Sequence, residues 1–183
     1  MNGHLEIVKY LVQKGVNIES KDNSRYTPLC TALENYHIDV VKYLVEKGAD
    51  IERKGNSGMN PLNIASMNGY LNIVKYLVEK GANIESKDFN GYTPLYIASR
   101  DGHLDIVKYL VEKGANVESR GDNEVNPLYI ATKNGYLDIV KYLVEREANI
   151  ESKSIRGYTL LCIASRDGYL DIVKYLVKKG ANI

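Results

Sequence analysis

The sequence predicts an all-α solenoid of stacked helix-turn-helix units joined by β-hairpin loops. Three observations indicate this fold class. A tyrosine recurs every 33 residues, from Tyr10 to Tyr175. Each period holds two short apolar stretches with helical spacing. The prolines keep the same period, at Pro28, Pro61, Pro94 and Pro127. A fixed period of roughly 20–50 residues is typical of stacked supersecondary units.

The elements of one period are clearest in residues 91–119. Thr93 is a good N-cap, and Pro94 suits the first helical position because its missing N–H is harmless there. Gly102 follows about two turns later, and an apolar stripe then predicts a second helix that ends at Gly114. The next stretch contains turn formers, so we expect a hairpin arm. Helices of about 8 to 11 residues are marginal alone, so each unit needs its neighbours.

The composition is that of a globular protein. The 183 residues are 44% hydrophobic and 26% charged, which argues against a disordered tail, a collagen-like fibre or a disulfide-dense mini-protein. Lys and Arg number 24 and Asp and Glu number 23, giving a net charge of +1. This balance argues against a nucleic-acid binder or a polybasic membrane sensor.

No segment of the sequence predicts membrane insertion or secretion. The longest uncharged stretch, residues 55–74, contains five asparagines and a proline, which a bilayer core would not tolerate. The N-terminal apolar segment includes Glu6 and Lys9 and has no cleavage site of the signal-peptide type. We therefore expect an intracellular protein, located in the cytoplasm.

The motifs T-P-L-x-x-A, G-H-L-x-I-V and G-A-N-I, at a period of 33, resemble the ankyrin repeat. The resemblance covers nearly the whole chain and implies a protein-binding scaffold without cofactors. We predict a single ankyrin-repeat array over residues 1–183. It is divided into a partial repeat at 1–21, full repeats at 22–54, 55–87, 88–120 and 121–153, and a terminal repeat at 154–183.

The sequence departs from the family pattern at several positions. Leu160 stands in the proline slot, and Glu147 stands where the other repeats have glycine. We expect strain at Glu147, and strained or differently shaped turns at Arg25 and Glu124, because these slots otherwise hold glycine. The family usually places a histidine after T-P-L, where it ties repeats together. Here that slot holds Cys30, Asn63, Tyr96, Tyr129 and Cys162.

No group of residues predicts catalysis, a cofactor or a metal site. Cys30 and Cys162 lie four repeats apart, which is too far for a disulfide. The three histidines share one slot and are similarly separated, so we expect structural or surface roles for them. No Ser, Cys or Thr is placed for a His and a carboxylate to converge on it. We therefore predict that the chain is not an enzyme.

Two periodic rows could be taken for a nucleic-acid surface. We expect the tyrosine row to pack between adjacent second helices instead. A basic row beside the hairpins is accompanied, two residues earlier, by a glutamate row, so the charges cancel locally. We therefore expect no nucleic-acid binding. The basic row is Lys21, Lys54, Lys87, Arg120 and Lys153, and the glutamate row is Glu19, Glu52, Glu85, Glu118 and Glu151.

Positions that differ between repeats mark exposed surface, because packing positions must satisfy the same contacts each time. These positions concentrate at hairpin tips and first helices, which the resemblance assigns to a concave groove. Central aromatic and arginine residues are the expected anchors, in a groove that suits a folded protein or a peptide with acidic positions. The candidate partner-binding residues are Met59, Met67, Phe89, Asn90, Tyr92, Arg100, Val125, Lys133, Arg156, Tyr158 and Arg166.

The sequence leaves alternatives to a simple scaffold. The chain could be the substrate-recognition or targeting part of a larger protein, such as a ubiquitin-ligase receptor, with its effector motif elsewhere. It could also be a mechanical or idle scaffold. Neither end has a dedicated polar cap, so we expect a fragment of a longer array or fraying ends. We expect a monomer, with end-to-end association through the terminal repeats as an alternative.

Overall fold

A computed structural model describes residues 4–182 of the chain, so the outermost boundaries predicted above, at 1 and 183, lie outside the described residues. Eleven α-helices of two alternating kinds occur in this range, which confirms the predicted helical solenoid. The first helices are α2 (Pro28–Glu34), α4 (Pro61–Met67), α6 (Pro94–Asp101), α8 (Pro127–Lys133) and α10 (Leu160–Arg166). The second helices are α1 (Leu5–Gln13), α3 (Ile38–Glu46), α5 (Leu71–Glu79), α7 (Leu104–Glu112), α9 (Leu137–Glu145) and α11 (Leu170–Lys178).

Every first helix begins at a side-chain cap. The oxygen of Thr93 accepts a hydrogen bond from the Tyr96 N–H at 3.3 Å, and Asn126 caps α8 in the same way. The caps satisfy a backbone donor that a helix start leaves without a partner. Leu160 replaces proline without shifting the start of α10.

The slot that departs from the family pattern still makes a bridging contact at Asn63, between the first helix and the arm of the same unit. Its side-chain oxygen accepts a hydrogen bond from the Asn60 N–H at 3.1 Å, which completes a reciprocal cap. Its amide nitrogen also donates to the carbonyl oxygen of Ser86, in the arm after α5, at 3.2 Å. The amide therefore ties α4 to the arm that leads to the next unit, rather than joining two repeats directly.

The core lies between the two rows of helices. Leu95 and Ile97 of α6 and Ile106, Val107 and Leu110 of α7 are all fully buried. Burying each such side chain contributes about 1.5–3 kcal/mol. First helices contact one another more extensively than second helices do. The array therefore curves with its first helices on the concave side.

The arms between units are minimal hairpins. In the arm before α6, the Asp88 N–H donates to the Tyr92 carbonyl oxygen at 3.1 Å. The Asp88 carboxylate accepts from the N–H groups of Asn90 and Tyr92 at 2.9 and 2.8 Å. Within residues 4–182 the isolated β-bridge is between Lys153 and Thr159. The hairpins are too short to build a sheet.

Several non-glycine residues adopt left-handed backbone conformations. Arg25 has φ 60° and Glu124 has φ 59°, close to the values of 75° to 79° at the equivalent glycines. The turns thus keep the common shape and carry the strain. Glu147 has φ 65°, which confirms the left-handed helix end expected there. Tyr36, at φ 56°, is a further strained position that the sequence analysis missed.

The glutamate row joins successive repeats. The Glu52 carboxylate accepts from the Asn83 N–H at 2.7 Å, and the Glu85 carboxylate accepts from the Asn116 N–H at 2.8 Å. Asn83 in turn accepts from the Glu85 N–H at 2.9 Å. The glutamates of this row therefore do more than cancel the charges of the basic row, because their carboxylates accept hydrogen bonds from the next repeat. The same joint links Glu19 to Asp50, Glu118 to Asn149 and Glu151 to Asn182.

The tyrosine row lies on the convex side and packs between adjacent second helices, as expected. The hydroxyl of Tyr142 donates to the Lys108 carbonyl oxygen of the preceding second helix at 3.4 Å. The Lys108 ammonium also lies 5.8 Å from the centre of the Tyr142 ring. These contacts use the rings for packing between repeats and leave them half-buried, except for Tyr10, which is 59% exposed.

Candidate protein-binding surface

The predicted anchor Phe89 lies at a hairpin tip with 68% of its surface exposed. Its N–H donates to the carbonyl oxygen of Ser57 in the preceding tip at 3.2 Å. Its ring lies against Gly58, where an added Cβ would approach the ring to 2.5 Å. The tip is therefore fixed by its neighbour while the outer face of the ring meets solvent.

The expectation that Met59 and Val125 are exposed is wrong. They are 9% and 7% exposed and belong to the core, whereas Tyr158 in the same slot is 43% exposed. The aliphatic side chains gain by lying beneath the tips, while a tyrosine keeps its hydroxyl in water. Tyr92, in the same slot, is half-buried against Gly121 of the next unit, so residue type and the neighbouring unit together set the exposure of this slot.

Tyr92 forms part of an ordered aromatic pair rather than a free anchor. Its ring stacks on Tyr96 with centres 4.1 Å apart and planes 4° from parallel. The Asn123 amide donates to the Tyr92 hydroxyl at 3.1 Å. Burial, together with the adjacent Tyr92, raises the pKa of Tyr96 above the ordinary value for tyrosine. The spacing of four residues was the sequence signal for this pair.

Two of the three predicted groove arginines, Arg100 and Arg166, are held by the aspartate that follows each of them. Arg100 donates to the two carboxylate oxygens of Asp101 at 2.9 and 2.7 Å, and Arg166 does the same to Asp167 at 2.7 and 3.1 Å. The hydrogen bond from Arg166 lowers the pKa of Asp167. Because these guanidinium groups are partly neutralised, the groove is less basic than the sequence predicted.

A cavity of about 340 Å³ lies on the concave side where α6, α8 and α10 and their tips meet, and we refer to it as the inner cavity. Its lining includes the tyrosine pair and the apolar side chains of Val125, Ile130 and Ile163. It brings together six of the predicted residues, namely Tyr92, Val125, Lys133, Arg156, Tyr158 and Arg166. The other predicted residues, Met59, Met67, Phe89, Asn90 and Arg100, are not part of its lining.

A larger groove, of about 650 Å³, lies between α1, α2 and α3 and contains none of the predicted residues. Its lining includes Val8, Tyr26, Ala32 and His37. In interior units the equivalent surface of the second helix is covered by the first helix of the same unit. The shape of this groove follows from the stacking pattern rather than from side chains placed for a ligand.

Among the described residues, no three His, Cys, Asp or Glu side chains are grouped so that they could hold a metal ion. None of the helices described here is long and apolar enough to cross a membrane. His103, one of the three histidines, contacts the Met67 carbonyl oxygen of the preceding unit through Nε2 at 3.0 Å. Its role there is structural.

The two rows of helices, the hairpin tips and the concave surface define a helical repeat solenoid. A family model described as ankyrin repeats (3 copies) matches residues 1–55, 53–121 and 117–183. The chain belongs to the ankyrin repeat family. Ankyrin repeats generally mediate protein–protein interaction and are typically non-catalytic. A search of curated proteins gave no match.

Proposed function

We propose that this chain is a non-catalytic scaffold that binds a partner protein on its concave side, with residues 1–183 acting as one array. The observation that carries the proposal is the inner cavity, where six positions that vary between repeats meet on one surface. Variation within an otherwise strict repeat is expected where side chains serve a ligand rather than the stack. The partner is a protein, and the site needs no cofactor or nucleic acid.

The exposed residues of the concave side have the composition of an interface centre. Phe89 is 68% exposed at one hairpin tip, and Ile155 and Tyr158 are 69% and 43% exposed at the tip two units further along the chain. Aromatic residues and arginine are enriched in the residues that dominate binding energy. The Tyr92 ring and the Arg100 guanidinium are already held by neighbours, so binding would cost little side-chain entropy at these positions.

The convex side offers less to a partner. Its tyrosine rings are covered by lysine side chains, such as Lys75 over Tyr109 at 5.7 Å. Lysines and acidic residues alternate along the exposed face of each second helix, so no region of single charge develops. Exposed ion pairs there contribute little to binding or stability. These features support the concave side as the binding face.

The test compares matched double variants of the tagged chain in affinity capture from cell extract, followed by titration of the captured protein. The concave pair Phe89→Ala with Arg100→Ala should weaken binding by at least ~2 kcal/mol. The convex pair Lys75→Ala with Lys108→Ala should change it by well under ~1 kcal/mol. Circular dichroism must show both variants folded. The opposite ranking would place binding on the convex side and contradict the proposal.

A further inference from the structure

We propose that the inner cavity binds an extended acidic segment of the partner, with a carboxylate between Lys133 and Arg156 and an adjacent apolar side chain beside Tyr158. This inference rests on the proposed function and specifies the chemistry of the ligand. It concerns one part of the concave side, at the meeting point of three units, and is separable from binding at Phe89.

The charges that line the inner cavity favour an acidic ligand. Lys133 and Arg156 are exposed and form no ion pair with any residue from 4 to 182. The third cation, Arg166, is held by Asp167, and Lys133 also contributes to the lowered pKa of that carboxyl group. The Asp167 carboxylate therefore interacts with two of the three cations, Arg166 and Lys133, and not with Arg156. A ligand carboxylate entering between Lys133 and Arg156 would form charge-assisted hydrogen bonds with groups that have no such partner.

The shape and polarity of the cavity carry the second step. Val125 and Ile130 form an apolar floor with only 7% exposure each. Ile155 and Tyr158 stand at the opening and expose large apolar surfaces. A ligand side chain placed among these groups would remove apolar surface from water on both sides. The buried hydroxyl of Ser154, which has no partner among the described residues, adds a polar group to the wall.

The arrangement of the rings favours a protein segment over single-stranded nucleic acid. A base-binding platform needs exposed ring faces on which successive bases can stack. Here Tyr96 is 3% exposed and Tyr129 is 5% exposed, and one face of Tyr96 is covered by Tyr92. The tyrosines therefore act as walls of a small cavity. Such a wall suits an aliphatic or aromatic side chain of a peptide.

The experiment begins with selection of ten-residue random peptides on the immobilised chain. We expect enrichment of peptides with a net negative charge in which Asp or Glu adjoins an apolar residue. A fluorescein-labelled copy of the most enriched peptide is then titrated by fluorescence anisotropy. Replacing its acidic residues by the corresponding amides should weaken binding about tenfold, and higher salt should weaken the original peptide more than the amide version.

Variants of the chain locate the binding. The double change Lys133→Ala with Arg156→Ala should weaken the acidic peptide about tenfold or more, since two charge-assisted contacts are lost. The charge-conserving change Lys133→Arg should retain most of the affinity. The matched convex pair, Lys108→Ala with Lys113→Ala, should leave binding unchanged. All of these side chains are exposed, so circular dichroism should show intact folds.

Several outcomes would overturn the inference. Failure to enrich peptides, enrichment of basic peptides, or full affinity in the Lys133 and Arg156 double variant would each do so. Binding of a twelve-residue oligouridine that the same double variant abolishes would assign the cavity to nucleic acid instead. If acidic peptides depend on Phe89 but not on Lys133, the inference fails while the proposed function stands. If they depend only on convex residues, both fail.

Discussion

The second helices α7 and α9 have the same nine residues, LDIVKYLVE. The first helices α6 and α8 differ at their sixth and seventh positions, which hold Ser99 and Arg100 in α6 and Thr132 and Lys133 in α8. The first helices and the second helices each have one side that faces solvent, so exposure does not explain why α6 and α8 differ while α7 and α9 do not. Along the convex side even exposed residues such as Lys108 contact the next unit. The comparison teaches that the second-helix positions that join neighbouring units are held constant, whereas the end of the first helix, on the concave side, is variable.

The largest effect should come from the second-helix core. Leu77 of α5 is fully buried, while Leu11 occupies the same slot of α1 and is 43% exposed. We expect Leu77→Ala to lower the free energy of unfolding by about 2–5 kcal/mol, because it leaves a cavity. Leu11→Ala should cost less than about 1 kcal/mol. Urea unfolding, followed by circular dichroism, compares the two variants. Equal losses in the free energy of unfolding would show that burial by neighbouring units does not determine the effect of the substitution.

An intermediate effect is expected at the joints between repeats. Glu85 accepts from the Asn116 N–H at 2.8 Å and from the Ser119 hydroxyl at 3.0 Å. Glu85→Ala should therefore lower the free energy of unfolding by about 1–2 kcal/mol. Glu85→Gln should cost less because its amide oxygen still accepts. The control is Glu112→Ala, at the exposed end of α7. If urea unfolding shows the same loss of stability for Glu85→Ala and for this control, the joints do not stabilise the array.

The smallest effect should appear at the ends of the second helices. Glu147→Gly should raise the free energy of unfolding by about 1 kcal/mol, because it relieves the left-handed strain. The matched reverse change is Gly114→Ala, at φ 91°, where an added Cβ would meet no neighbour within 4 Å. It should lower stability by a similar amount, from backbone strain alone. Thermal unfolding with no difference between Glu147→Gly and the parent would mean that this helix end carries no net strain.

The parts of the fold that follow from local chemistry could be predicted from the sequence. Proline and its preceding Thr or Asn located the first helices, and the 3.6-residue apolar stripe located the second ones. The burial of Met59 and Val125 could not be predicted from the slot, since exposure there depends both on the residue type and on contacts with the neighbouring unit. The glutamate joints were missed because donor and acceptor lie 31 residues apart and meet only after stacking.

The sequence located the variable positions of the candidate surface, but it did not predict which of their charges are paired. The adjacent Arg100 and Asp101 were visible as neighbours, yet only the backbone at the end of α6 brings their side chains into a two-point ion pair. The stacking of Tyr92 on Tyr96 likewise depends on the path of the chain into the helix. The cavity itself is formed by three units, and no single repeat contains it.

The glutamate joint also bears on how such a chain can change in length. Each repeat carries both halves of the joint, since Asn83 donates to the preceding unit through its N–H and Glu85 accepts from the following one. A duplicated or deleted segment of one full period would therefore find a matching half at each new boundary. The array can thus lengthen or shorten by whole units in evolution without new joining contacts, while its concave residues diverge independently toward new ligands.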